Sequence, residues 1–453
     1  MTTARTATPS TARAINDRLA LDLLLERGPL TASDLRALTG LSRPTVADLL
    51  ERLQRSGLVA HAGESDALRR GPNARLYGLV ADRAHLAGID IRASGVSLVV
   101  ADLTGRTLGT ATIAAALPVV PAAPAVDRED PSGSGDVEAT ESAGCSCGSG
   151  GGDVSAATTD GDLLVERTVE ALLATAAEAG AGELHTVAVG APGLVDPATG
   201  TLNNSGKLPE WHTKLLAALR SRPGTEVILE NEVNLAGIAE HRIGAAKDRR
   251  DFALIWLGHG VGASVILDGR LRRGASGGTG EIGFLPVPGT IGLPDSKKCD
   301  GGFHSMVSSA AICELAARHG LKVEPDTEEG TGAEAEPGAG AGAGAGDREP
   351  AAEAVVRRAV EAGADDFLDE LALRIAVGVS AICVVLDPGC VVLGGEIGQA
   401  GGPELASRVE RHLARLSPLA TEVRAGTAGG GAVLAGAVLT AGDAVRRELF
   451  GGD

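Results

Sequence analysis

Residues 31–59, TASDLRALTGLSRPTVADLLERLQRSGLV, hold the pattern from which the rest of the chain is read. Thr31 is a good helix cap, and Asp34 puts a carboxylate where the helix dipole favours negative charge. Leu35 and Leu38 give this helix an apolar edge, and Gly40 ends it. Ser42 caps a second helix, with Pro44 in the first turn, where a missing N–H costs nothing. Val46, Leu49, Leu50 and Leu53 recur at helical spacing and face inward, which turns Arg43, Thr45, Asp48 and Arg52 outward. The spacing is that of a helix-turn-helix, whose second helix enters a DNA major groove. Ser42, Arg43, Thr45 and Arg52 are therefore the candidate DNA-contacting residues of that helix. An ordinary helical hairpin with a solvated charged face is the alternative.

Both flanks support the DNA reading. Upstream, Ile15, Leu19 and Leu23 predict a third amphipathic helix. Downstream, Gly57-Leu58-Val59 starts a strand, and residues 69–75, RRGPNAR, followed by Leu76-Tyr77-Gly78-Leu79, form a tip and return strand. The segment resembles a winged helix, whose wing arginines, here Arg69, Arg70 and Arg75, would reach phosphates or a minor groove. Arg36 departs from that resemblance, standing where such helices usually carry a small packing residue.

At 453 residues the chain exceeds one ordinary domain. Its net charge of −18 argues by itself against a nucleic-acid binder. The distribution reverses that inference. Residues 1–86 carry 12 arginines against nine acidic residues, which makes this part +3 and the remainder −21. A weakly basic head on an acidic body confines DNA contact to the head.

No apolar run reaches the roughly 18 to 20 residues that span a bilayer. The first residues, MTTARTATPS, lack the apolar region of a signal peptide, so a cytoplasmic location with no membrane contact is expected. Six cysteines in so long a chain make no disulfide framework, and Cys313 and Cys383 fall in apolar helical patterns as inert thiols. Two segments, about 118–160 and 323–350, are rich in Ala, Gly, Pro, Ser and acidic residues and read as disordered surface insertions. Cys145 and Cys147 fall in the first and lack nearby partner ligands.

Beyond Ala84 the pattern becomes alternating strands and helices, an α/β body that would hold ligands at strand C-termini. Leu86–Ile91 and Gly95–Asp102 read as strands, as do Val187–Gly190, Val227–Leu229, Phe252–Leu257 and Cys390–Leu393. The third leads into Ala191-Pro192-Gly193-Leu194, and the fourth into Glu230-Asn231-Glu232-Val233-Asn234. The fifth runs into Gly258-His259-Gly260-Val261-Gly262, whose glycines would let backbone N–H groups approach phosphate oxygens. The sixth ends at Gly394-Gly395-Glu396, where a chain can pass close to a nucleotide base. A plain turn is the alternative for each glycine loop.

Taken in order, AGIDIRASGVSLVVADLTG, VAVGAPGLVDPATGTLNNSGKLPEWH, ILENEVNLAGIAEHRIG, WLGHGVGASVILDGRLRRGASGGTGEIG and VVLGGEI resemble the motifs of the ROK family. That family groups sugar-responsive repressors and sugar kinases on the actin/hexokinase-like fold. The resemblance implies a winged helix-turn-helix over residues 1–84 and a two-lobed ROK body over 85–453. In catalytic members the Asp of an E-N-D-x-N motif is the base, and here that slot holds Glu232. The extra methylene moves the carboxylate by about 1 Å, an error that can cost about a hundredfold in rate. Kinases carry a glycine pair and Thr where this chain has Arg92-Ala93-Ser94, and Arg92 is expected as a solvated surface residue.

The resemblance implies a sugar site at Lys207, Asn231, Glu232 and Glu281, with Asn234 in its polar frame. Phe284 replaces the family's His after Glu-Ile-Gly, and one thiol and one imidazole, Cys299 and His304, remain of its zinc cluster. These are too few ligands for a closed tetrahedral site, so no metal is expected. Where the zinc would have been, Phe284 and Phe303 are expected to pack together.

The function implied is a transcriptional regulator, a repressor, acting on operator DNA as a homodimer or higher homo-oligomer under control of a sugar or sugar derivative. No catalytic residue and no cofactor are assigned. A sugar kinase with an appended DNA-binding head, or a regulator answering to a protein partner or a non-sugar metabolite, are the alternatives.

Overall fold

The computed structural model describes residues 9–64, 74–92, 95–114, 154–203, 211–258, 260–290, 292–295, 301–323 and 351–451. The N-terminal unit comprises α1 (Pro9–Arg27), β1 (Leu30–Thr31), α2 (Ala32–Thr39), α3 (Arg43–Arg55), β2 (Val59–Glu64) and β3 (Arg75–Leu79). Its sheet order is β1-β3-β2, a winged helix. Thr31 and Asp34 close a capping box: the Asp34 N–H donates to Thr31 Oγ1 at 3.1 Å and the Thr31 N–H to Asp34 Oδ2 at 3.0 Å. Gly40, at φ 70°, ends α2, and Ser42 Oγ accepts from the Thr45 N–H at 3.3 Å to start α3.

Leu35, Val46, Leu49, Leu50 and Leu53 are buried with Ala20, Leu21 and Leu24 of α1. The buried stripe of α1 differs from the expected one. Ile15 and Leu19 lie outside it, 59% and 41% exposed, and Leu38 of α2 is also exposed. Several faces of α1 carry apolar residues, and contact with α2, α3 and β3 selects the face bearing Ala20, Leu21 and Leu24. Arg36 is exposed, so the absence of a small residue there costs no packing.

The first lobe holds β4 (His85–Arg92), β5 (Gly95–Asp102), β6 (Thr107–Ala114), α4 (Val154–Glu178), β7 (Thr186–Ala191), β8 (Leu194–Val195), β9 (Leu202–Asn203), α5 (Trp211–Arg220) and β10 (Glu226–Asn231). Its main sheet runs β10-β7-β4-β5-β6, with β10, β7 and β4 parallel and β4-β5-β6 an antiparallel meander. α6 (Glu232–Arg242) leads to the second lobe. That lobe contains β11 (Phe252–Leu257), β12 (Val261–Leu267), β13 (Arg270–Leu271), α7 (His304–Val307), α8 (Ser309–Arg318), α9 (Ala351–Ala362), α10 (Asp365–Leu386), β14 (Cys390–Gly394), α11 (Gly395–Leu416) and β15 (Glu422–Ala425). Its sheet order is β13-β12-β11-β14-β15, and α12 (Ala432–Leu449) returns to the first lobe.

α4 begins at Val154, inside the stretch expected to be an insertion. Its first turns have the Ala, Thr and Asp content of a linker. Once nucleated by the packed Leu164, Val165 and Leu172, a helix extends at little further cost. The remainder of both expected insertions lies outside the described residues.

One face of the first sheet packs α4 and α5, and one face of the second packs the helices α8 to α11. Between the sheets α12 lies on β4 and β7, α6 lies on β11 and β12, and the two helices cross. Gly436 permits that crossing, since a Cβ there would collide with the Leu235 carbonyl. The head joins this middle layer in one continuous apolar cluster, from Leu24 and Leu53 through Leu103 to Val445 and Phe450. Hydrogen bonds follow the same route: backbone Val80 N–H to Leu58 C=O and Leu103 N–H to Ala81 C=O, and the Arg446 side chain, through Nη1, to Leu103 C=O. Cys383 and Cys390 are buried free thiols, and Cys313 is half-buried. Among the described residues no helix is long and apolar enough to cross a membrane.

Candidate functional site

Two surfaces carry the chemistry. On the head, the Ser42 cap and Arg43 stand exposed at the N-terminus of α3, and Ser42 Oγ lies 2.8 Å from Thr45 Oγ1. Arg43 makes no hydrogen bond or ion pair with any described residue, so its guanidinium is open to an external partner. Arg75 is exposed at the start of β3, opposite Glu64. Arg69 and Arg70 lie outside the described residues.

Arg52 differs from expectation. Its Nε and Nη2 donate to Asp17 Oδ2 and Oδ1 at 3.2 and 2.6 Å, so it clamps α3 to α1 and does not face outward. The Asp17 bond and field push the guanidinium pKa up. A bidentate pair fixes both partners, which suits a brace between helices better than a mobile base contact. Asp17 was missed because residues 35 apart in sequence leave no spacing signal.

The second surface is the interlobe cleft, at the C-terminal ends of β4, β7, β10, β11 and β14. Asn231 caps α6, accepting from the Val233 and Asn234 N–H groups at 2.9 and 3.2 Å, and its Nδ2 donates to the Gly193 carbonyl at 3.0 Å. The Pro192-Gly193 loop is thereby tied to the start of α6. Behind it the buried Glu230 accepts from the Asn231 N–H, Asn234 Nδ2 and Arg273 Nε at 2.9, 2.9 and 2.6 Å. Arg273 holds this frame from the second lobe. The loop after it also reaches the first lobe, with Gly277 against the Val195 carbonyl, and is pinned to its own lobe where the Gly280 carbonyl accepts from the Ala263 N–H at 2.8 Å. That loop ends in the exposed Glu281. The structure thus brings Asn231, Glu232 and the Glu281 loop to one cleft, while Lys207 lies outside the described residues.

Glu232 is the first residue of α6 and makes no hydrogen bond with any described residue. Its pKa is pushed up to about 7, first by burial and then by Asp90, against the pull of Arg92; Glu396 adds to the rise. Arg92 is not a solvated surface residue. Its Nε donates to the buried Asp90 Oδ2 at 2.9 Å, and its Nη1 lies 3.5 Å from Glu396 Oε1 on the first turn of α11. Asp90, two residues earlier on the same strand, was within reach of the sequence; Glu396, 304 residues away on the other lobe, was not.

Glu232→Gln tests this electrostatic setting. A carboxylate pKa raised by folding favours the protonated form, so Glu232 contributes fully below its ordinary value of 4.5 and less as pH rises through about 7. The variant should lose that slope and exceed the wild type by about 1–3 kcal/mol at pH 8. Urea midpoints from pH 4 to 8 measure it, and parallel profiles for both proteins refute the shift.

Phe303 and Phe284 do not pack together. Phe303 is fully buried against α10, whereas Phe284 is 42% exposed beside Glu281. Cys299 lies outside the described residues, and among those described no group of three or more His, Cys, Asp or Glu residues is arranged to hold a metal ion.

Comparison with protein families matches the ROK family over residues 153–444. The chain belongs to the ROK family. Residues 15–70 match the MarR family, whose winged helix-turn-helix corresponds to the head. A glucokinase of Halalkalibacterium halodurans is 27% identical over 231 residues, 51% of this chain and 67% of the relative. The DNA-binding transcriptional dual regulator NagC of Escherichia coli is 31% identical over 137 residues, 30% of this chain and only 32% of NagC. Among solved structures, a ROK family transcriptional regulator, homolog of the E. coli MLC protein, aligns with TM-score 0.64 at 17% identity, covering 97% of this chain and 100% of that one. A ROK family glucokinase from Streptomyces griseus aligns with TM-score 0.52 at 23% identity, covering 79% of this chain and 99% of that one. Nearly the whole chain thus has the fold of the first of these structures, and the glucokinase aligns with a smaller share of it.

Proposed function

We propose that this ROK protein is a transcriptional regulator, a repressor, whose head binds operator DNA and whose body senses a sugar or sugar derivative. The observation that carries the reading is the outward Ser42–Arg43 tip of α3 on a winged helix, with Arg43 exposed and without a side-chain partner among the described residues. A recognition helix presents such an N-terminal tip to base edges. The body supports sensing rather than turnover: by resemblance Glu232 stands where catalytic members carry Asp, and Arg92-Ala93-Ser94 stands where they carry a glycine pair and Thr. Sugar would act through different affinities for DNA-competent and DNA-incompetent arrangements of a homodimer, the form suited to two-fold operators.

Selecting bound sequences from random DNA, then titrating sugars against the selected site, tests this reading. One sugar should lower operator affinity by about 5- to 150-fold. Failure to prefer any sequence over random DNA removes the DNA-regulator reading, and indifference to a broad sugar panel removes the sugar-sensor reading.

The kinase reading is favoured by one observation, a Glu232 pKa near 7, which suits a general base. An ATP-coupled assay with hexoses and amino sugars decides it, turnover above about 1 per second being ordinary for an enzyme.

A further inference from the structure

The first turn of α11 carries a carboxylate into the cleft. Gly394 ends β14, Gly395 turns the chain, and Glu396 follows. Gly258, at the end of the neighbouring strand β11, makes room for it, since a Cβ there would collide with Glu396 Oε2. Oε1 meets Arg92 at 3.5 Å, and Oε2 is buried with no hydrogen-bond partner among the described residues. A buried carboxylate oxygen without a partner is costly, so attraction to Arg92 must hold it there. Asp90 grips Arg92 from the other side at 2.9 Å, and the chain Asp90–Arg92–Glu396 ties the first lobe to the second.

A phosphate bound beside Arg92 would use the two favourable features near it, the Arg92 guanidinium and the N-terminal turn of α11. Glu396, itself in that first turn, already pairs with Arg92. With Asp90 and Glu232 alongside, three carboxylates share one guanidinium; burial is the first cause of the raised Glu232 pKa, and Asp90 and Glu396 add to it. An arriving phosphate would meet the like charges of Asp90 and Glu396 at the Arg92 guanidinium itself.

We propose that Glu396 is a built-in anion that takes the place of a ligand phosphate beside Arg92, so that the cleft excludes nucleotides and phosphorylated sugars. The ligand class left to the site is a sugar without a phosphate; that half of the inference rests on the sensor reading above, whereas the exclusion does not.

Isothermal titration of the full chain tests it with MgATP, glucose 6-phosphate and N-acetylglucosamine 6-phosphate as anionic probes. The wild type should bind none of them. Glu396→Gln keeps the side chain's size and removes its charge, and Glu396→Gly removes the side chain; both should gain MgATP affinity by about tenfold or more. Saturable binding of any anionic probe to the wild type overturns the proposal, whatever the variants do. Absence of a gain in both variants, with thermal unfolding unchanged, also overturns it. Glucose, N-acetylglucosamine and xylose are titrated in parallel. If none of these binds, the sensor reading fails while phosphate exclusion is still judged by the MgATP arm.

Discussion

Phe303→Ala is expected to destabilise the body by about 3–5 kcal/mol, the range for deleting a buried aromatic ring. Phe303 is fully buried, its ring lies against Gly378 of α10, and its cluster includes Val307, Ile312, Leu315 and Leu371. The loss would combine transferred apolar area with a cavity that α10 and α8 are too constrained to collapse. The segment before Phe303 is the one in which, by resemblance, family members carry zinc ligands, so an apolar anchor would do here what a metal does there. Urea unfolding followed by far-UV circular dichroism measures the change. A loss below about 1 kcal/mol contradicts the anchor role. EDTA should leave wild-type stability unchanged, and a fall comparable to that of the variant would place a metal in the loop.

Arg43→Ala is expected to weaken binding to the selected operator by about 1–3 kcal/mol, roughly 5- to 150-fold, while binding to random DNA barely changes. Arg43 is exposed at the tip of α3 and has no partner among the described residues, so removing it leaves no group in the head unpaired. Fluorescence anisotropy with operator and scrambled duplexes separates the outcomes, since equal loss on both makes Arg43 a phosphate contact. Arg52 offers the internal contrast. Its alanine variant breaks the bidentate clamp on Asp17, so it should lower the thermal stability of the head along with affinity for any DNA.

Much of the architecture was legible because short-range signals agreed with it. β5 and β11 begin and end where their apolar runs do, and the Thr31 and Ser42 caps stand at the predicted helix starts. Capping depends on groups within three or four residues, so it is written locally. Asn231 and Glu232 were likewise in view in one short motif, though the role of Asn231 as the cap of α6 was not read from it. By contrast, Ile15 and Leu19 had helical spacing like the residues that are buried, and only the helices packed against α1 selected its inner face. Arg273, Asp17 and Glu396 gave no signal, because their partners are 43, 35 and 304 residues away. Glu396 was in view in GGEI, but read as part of a glycine loop rather than as a charge.

The sequence by itself determined the two-part plan: a helix-turn-helix from caps and periodicity, a ROK body from five ordered motifs, and Glu232 in the place of a catalytic Asp. Each is a property of neighbours along the chain. Tertiary structure alone decided which charges meet. It turned Arg52 inward onto Asp17, brought Glu396 to Arg92 from the other lobe, and set Phe303 in the core while leaving Phe284 partly in solvent. The physical reason is range. Caps and periodicity act within a turn or two of helix, whereas an ion pair or a packed ring depends on distances that exist only once separate elements have docked.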